Sequence, residues 1–204
     1  MSFSASFLVC YSSFMLSEIQ LVSSFNHWIA SSFELTAVAI FLARWLIFAF
    51  ILVGALLLSS GRKTDRHAVS EAIWSVFLVL GITAIVAKLI GRPRPFLVPL
   101  TPYVLHPILA LVPPPYNTSF PSGHTGTAFA MAVAFFHANR RLGIAGFVLA
   151  ALIATGRIAV GVHYPTDIVG GIIVGLASFG IVRFCHRQVR RTDLTESIKS
   201  HKHV

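Results

Sequence analysis

From Leu35 onward the chain runs in long apolar stretches broken by short polar joints, a pattern that predicts helices long enough to cross a membrane. A helix rising about 1.5 Å per residue needs about 20 residues to span a hydrocarbon core of about 30 Å. Residues 35–58, 68–90, 121–137, 142–162 and 165–184 meet or approach that length. The third stretch is short and opens on the polar run SFPSGHT, so its start is expected in the interface or behind neighbouring helices. Upstream, Leu16, Ile19, Val22 and Phe25, with Ile29 further on, recur at helical spacing. That spacing predicts an interfacial amphipathic helix within residues 1–33. A sixth span over residues 3–15 is a thinner alternative. The expected fold is an all-α, polytopic membrane helix bundle of about five or six transmembrane helices, one embedded domain over residues 1–204.

Composition sharpens this picture. Charged residues make up 11% of the 204 residues and hydrophobic ones 55%, whereas a soluble domain carries about 25% charged residues. Mean hydropathy is +0.78. The net charge of +9 does not point to nucleic acid, because the basic residues sit in short clusters between apolar runs. Those clusters, GRKTDRH (61–67), NRRL (139–142) and RFCHRQVRR (183–191), fall on one side of a five-span chain. The positive-inside bias makes that side cytoplasmic, and residues 185–204 become a cytoplasmic basic tail. The connections 91–120 and 161–164 then face outward. Cys10 and Cys185 have neither metal-ligand spacing nor a pairing pattern, and the N-terminus lacks the basic region of a cleavable signal. The Pro-rich stretch 96–117 reads as a rigid cap or as a lid over an entry path.

The outward connections hold the unusual polar residues. In KLIGRPRPF, Lys88 ends a span while Arg92 and Arg94 each precede a proline, which biases their backbone to extended conformations. In SFPSGHT, Ser122 stands at an N-cap position, and the N–H groups of Gly123, His124 and Thr125 follow at a helix start, where a phosphate can bind. In GRIAVGVHYPTD, Arg157 closes a span, and His163 and Asp167 lie four apart across the next helix start. A carboxylate there can hold one imidazole nitrogen and leave the other free as a nucleophile. Each cluster also has a plain reading: snorkelling cations, an ordinary capped helix, an acid favouring a helix dipole. Together they supply donors for one tetrahedral anion, two histidines and one carboxylate, and no set with the spacing of a catalytic metal site.

Lys88…Arg94-Pro95, Pro121-Ser122-Gly123-His124 and Arg157…His163…Asp167 resemble the three motifs of the type-2 phosphatidic acid phosphatase (PAP2) superfamily. The resemblance spans residues 88–171. It departs from the family pattern in having five residues rather than six between Lys88 and Arg94, and Gly156 where a serine commonly precedes the arginine. It implies a metal-independent phosphatase with no cofactor. His163 would be the nucleophile, Asp167 its orienting carboxylate, and His124 the general acid and then base. Lys88, Arg94, Ser122, Gly123 and Arg157 would bind phosphoryl oxygens, with Arg92 as a further candidate.

Within the family, the short chain and the wording KLIGRPRPF and SFPSGHT look like bacterial undecaprenyl-diphosphatases. That implies an enzyme of the bacterial inner membrane with its site facing the periplasm or exterior, acting on a lipid diphosphate among membrane lipids. Phosphatases of phosphatidylglycerophosphate, phosphatidic acid or lipid A are the alternatives. A non-enzymatic lipid transporter would leave the His–Asp pair without a purpose. Arg44, inside FLARWLIFAF, is a mid-span charge with a cost of about 2.5–3.5 kcal/mol on insertion scales. It either snorkels outward or faces the bundle to hold a distal phosphate. Oligomeric state is not legible.

Overall fold

The computed structural model describes residues 2–99, 106–113 and 118–201, with side chains from Met15 to Val189. The expected lid or cap at 96–117 and the basic tail therefore fall partly outside the described residues. Among the described residues seven α-helices follow in order: α1 (Ser2–Ala30), α2 (Phe33–Ile40), α3 (Phe48–Ser59), α4 (Lys63–Ile90), α5 (Gly123–Ala138), α6 (Arg140–Ala159) and α7 (Pro165–His201). A π-turn, Phe41–Trp45, joins α2 to α3. Among the described residues the only extended pairing is an isolated bridge between Pro93 and Thr118. The protein is an all-α membrane bundle, as its pattern predicts.

Among the described residues three helices are long and apolar enough to span on their own: Lys63–Ile90, Arg140–Ala159 and Pro165–Val189. The first predicted span is not one straight rod. It is a pair, Phe33–Trp45 and Phe48–Ser59, bent by 45°. The π-turn supplies the break, since an i→i+5 bond such as Leu46 N–H to Phe41 C=O leaves one backbone group out of register. Helix α5 has 16 residues, about 24 Å. It tolerates that shortness by lying at the centre, packed against α4, α6 and α7, with Ala128, Ala130, Ala132 and Ala134 fully buried. Small residues let the backbones close up. A Cβ at Gly171 on α7 would lie 2.5 Å from the Ser122 carbonyl oxygen, and one at Gly126 would lie 3.0 Å from the Gly171 carbonyl oxygen.

The face of α1 picked out by spacing turns toward protein. Ile19, Val22 and Ile29 are buried together with Glu18, Ser23 and Asn26, while Leu21 and Trp28 stand exposed on the opposite side. Asn26 explains the docking. Its amide donates to the carbonyls of Ala159 (2.8 Å) and Leu109 (3.1 Å), and its oxygen accepts from Leu109 N–H (2.7 Å). The carbonyl of His106 accepts from Ser23 Oγ at 2.7 Å. Helix α1 thus docks on the 106–109 segment and the end of α6 with satisfied hydrogen bonds as well as apolar area.

Candidate active site

The segment after α4 starts with Gly91 in the left-handed region (φ 62°), which ends the helix and redirects the chain. The chain then runs extended to Arg94 (φ −73°, ψ 155°), and Pro95 opens a short 3-10 turn over Pro95–Leu97. The Ser119 N–H donates to the Arg92 carbonyl at 2.8 Å, tying this segment to the approach to α5. Residues two apart on an extended chain share a side. Here both arginines reach across the 162–167 turn, but to different ends of it. Arg94 Nη1 donates to the Val162 carbonyl at 2.8 Å and lies 3.5 Å from His163 Nε2. Arg92 instead donates to Asp167 Oδ1 (2.8 Å), Thr166 Oγ1 (2.6 Å) and Glu18 Oε2 (2.8 Å), and its guanidinium lies 4.0 Å from the Tyr164 ring centroid. Arg92, expected as a phosphate donor, is spent on holding the turn.

That turn is set by Gly161 at φ 75°, where a Cβ would fall 2.5 Å from the Leu109 carbonyl oxygen. Asp167 is fully buried and its Oδ2 accepts the Tyr164 N–H at 2.8 Å. His163 Nδ1 sits 3.5 Å from the same Oδ2, within ion-pair distance, and makes no hydrogen bond among the described residues. Asp167 therefore acts on the ring by charge, which favours a proton on Nδ1 and leaves the Nε2 lone pair beside Arg94. Burial, helped by Arg157 and Arg94, holds His163 down at about 4 while Asp167 pulls the other way. That shift keeps the ring neutral at neutral pH.

At the start of α5, Ser122 occupies the N-cap position but its side chain caps nothing. Its N–H donates to the Asp167 carbonyl (3.0 Å) and its Oγ accepts from Thr125 Oγ1 (3.0 Å), so it is fully buried beneath the helix start. Among the described residues no acceptor takes the N–H of Gly123, His124 or Thr125. Arg157, at the end of α6, is also buried. Its Nη1 donates to the Ala43 carbonyl at 3.4 Å, and its Nε has no partner among the described residues. A buried guanidinium N–H without an acceptor is costly unless an anion completes it. The Ala43 contact depends on Gly156, where a Cβ would lie 2.8 Å from Ala43 N.

These groups surround one cavity of about 500 Å³. Arg94, Arg157, His124, His163 and Gly123 line its polar end, and among the described residues no carboxylate lines it. Its other wall is apolar, from Ile47, Val76, Leu80, Ala84 and Ala87. Leu80 is 51% exposed, so this wall opens sideways on the lipid-facing flank of α4. Lys88 is exposed on the last turn of α4 and lies outside the lining. Arg44 is also exposed, with its guanidinium 5.5 Å from the Trp45 ring centroid. Its exposure fits the snorkelling alternative rather than a contact with a distal phosphate. No group of three or more His, Cys, Asp or Glu among the described residues could hold a metal ion. Glu18 escapes motif reading, though it is the only Asp, Glu, Lys or Arg before Glu34.

The sequence profile of the PAP2 superfamily matches residues 68–191. The undecaprenyl-diphosphatase BcrC of Bacillus subtilis is 30% identical over 70% of each chain. The decaprenylphosphoryl-5-phosphoribose phosphatase of Mycobacterium tuberculosis is 33% identical over 68% of this chain and 69% of its own. Among solved structures, LpxE of Aquifex aeolicus superposes with a TM-score of 0.61 at 26% identity, covering 79% of this chain and 92% of that one.

Proposed function

The chain belongs to the PAP2 superfamily and is a phosphoric-ester hydrolase of the membrane, and from that premise we propose that it converts undecaprenyl diphosphate to undecaprenyl phosphate at the outer face of the bacterial inner membrane. One observation carries the reading: a cavity whose polar end holds two arginines, two histidines and, among the described residues, helix-start amides without acceptors and no carboxylate, continuous with an apolar wall open to lipid. The polar end suits a multiply charged phosphate, and the open wall suits a long apolar tail that stays in the bilayer. Two relatives carry a polyprenyl chain in their names, which favours that tail over a diacylglycerol.

In this reading the terminal phosphoryl group sits between Arg94, Arg157 and the Gly123 and His124 amides. His163 Nε2 attacks phosphorus as the bridging P–O bond breaks, and His124 gives its proton to the departing lipid phosphate. Water then attacks the phosphohistidine, His124 takes the proton, and the N–P bond breaks to release inorganic phosphate. Asp167 stabilises the positive charge on the ring while it carries phosphorus. Such a loose transition state needs charge and position more than new bonds, and the buried arginines supply both. Lys88 approaches the second phosphate from the rim, and Ser122 fixes the first turn of α5 from below.

Phosphate release by purified protein in detergent with EDTA present, over a panel of lipid phosphates, tests this. Undecaprenyl diphosphate should give a kcat/KM at least about tenfold above phosphatidylglycerophosphate, phosphatidic acid and lipid A, a margin worth about 1.4 kcal/mol. A preferred phosphomonoester would overturn the substrate, and activity lost to EDTA but restored by a divalent ion would overturn the mechanism. A cysteine replacing the exposed Pro99, in a variant lacking Cys10 and Cys185, should react with an impermeant thiol reagent on intact cells. Labelling only after lysis would reverse the orientation.

A further inference from the structure

Asp167 is a fully buried carboxylate, and a buried charge persists only when it is paired and hydrogen-bonded. Its partner Arg92 does not belong to Asp167 alone. Arg92 Nη1 reaches Asp167 Oδ1 at 2.8 Å while Nη2 reaches Glu18 Oε2 at 2.8 Å. Glu18, buried on α1, also accepts the Thr166 N–H on Oε1 (2.8 Å) and the Thr166 hydroxyl on Oε2 (3.0 Å). Glu18 thus grips both the guanidinium and the first turn of α7, one residue from Asp167. We propose that Glu18 is a positioning residue for the reaction: a carboxylate on the N-terminal helix that balances Arg92 and so leaves the charge of Asp167 to act on His163.

The charges around His163 make the argument. Arg94 and Arg157 face it with positive charge from the 91–98 segment and α6, His124 faces it from α5, and Asp167 faces it from α7. Arg92 stands directly behind Asp167. Alone it would draw off the field that stabilises an imidazolium, and the turn would carry an excess of positive charge. Burial opposes the Arg92 charge, but the hydrogen bond and charge of Glu18, with the charge of Asp167, outweigh it and hold Arg92 above its ordinary value. Removing the Glu18 charge should therefore make His163 harder to protonate and its phosphorylated, positive form harder to reach. The loss belongs in kcat rather than KM, because Glu18 lies behind the turn and outside the cavity lining.

The role in catalysis rests on the phosphatase reading, so the test uses one readout that needs no substrate. Histidine-labelled protein in detergent is titrated by NMR, with the His163 signal assigned from a His163→Asn variant. In Glu18→Gln the His163 midpoint should fall by about half a unit or more, as expected for a charge removed at nearby but indirect range. On the preferred lipid phosphate kcat should fall about tenfold with KM changed less than about twofold. Glu18→Asp, which keeps the charge, should recover most of both. Asn26→Ala, which loosens α1 at another point, should lower thermal stability and leave the midpoint in place. An unmoved midpoint in folded Glu18→Gln, or an equal shift in Asn26→Ala, overturns the proposal. A shifted midpoint in a protein that turns over no lipid phosphate upholds the coupling of Glu18 to His163 and overturns the phosphatase reading on which its role in catalysis rests.

Discussion

Replacing Asp167 by Asn keeps the shape of the side chain and removes its charge and one acceptor. Two donors bond to Asp167, Arg92 Nη1 at 2.8 Å and the Tyr164 N–H at 2.8 Å, and His163 Nδ1 stands 3.5 Å away. An amide has one oxygen, so at least one of these donors would meet its NH₂ group. If that group faces His163, the ring favours the other tautomer and carries its proton on Nε2, the atom proposed to attack. The charge itself sets the magnitude. A unit charge 3.5 Å from an imidazolium, at an effective dielectric near 20, acts with about 4–5 kcal/mol. Arg92 shares that field, so the net effect is smaller, and turnover should fall by about 10²–10³-fold. Removing Asp167 also removes a cause that raises His163, so the acid limb of the rate profile should move to lower pH. Initial rates of phosphate release across pH, on protein shown to be folded by gel filtration and thermal unfolding, measure both effects. A loss below about tenfold with an unmoved acid limb would refute the assignment of Asp167 to the ring.

The two histidines should separate. His163→Ala should end turnover and phosphoenzyme formation together, whereas His124→Ala should still label with an aryl phosphate, whose leaving group needs no acid, while losing roughly 10²–10⁴-fold on lipids. Equal residual activity in both would sink these roles. Because His163 is buried neutral at about 4 against an ordinary 6.5, the unfolded chain binds the extra proton between those values. Stability from this burial is complete above about pH 6.5 and lost as pH falls toward 4, so Tm should drop over that window, and less so in His163→Asn. Arg44→Gln should leave KM unchanged for diphosphate and monophosphate lipids alike, and a selective rise for the diphosphate would return Arg44 to the site.

Much of the site was legible because a chain so poor in charge makes each polar cluster conspicuous. Gly123, His124, Arg94, Arg157 and His163 stand out against apolar neighbours, and local spacing alone puts His163 and Asp167 on one turn. Helix types and spans follow from the same contrast. What escaped depends on distant parts of the chain meeting. Arg92 and Arg94 look equivalent in an Arg-Pro-Arg-Pro run, and only the docking of α1 diverts Arg92 to Glu18, 74 residues away in sequence. Ser122 resembles a cap until the closeness of Gly171 shows how deeply its backbone is packed. The bend in the first span comes at a π-turn that also contains the exposed Arg44, and a hydropathy pattern does not register it.

The sideways opening at Leu80 has a kinetic consequence. A substrate that enters through the flank of α4 meets the enzyme within a sheet of lipid or a micelle, so encounters depend on its share of that phase and not on its amount per volume of water. Adding inert detergent at fixed total substrate should slow the reaction, and doubling both together should leave the rate per enzyme unchanged once the micelles outnumber the protein. Apparent KM values should agree between detergents only when written as mole fractions. Inhibitors should rank by how far they partition into lipid as well as by their fit to Arg94 and Arg157. A water-soluble phosphate analogue lacking a tail would have the charge to bind the cavity but no route shared with the substrate.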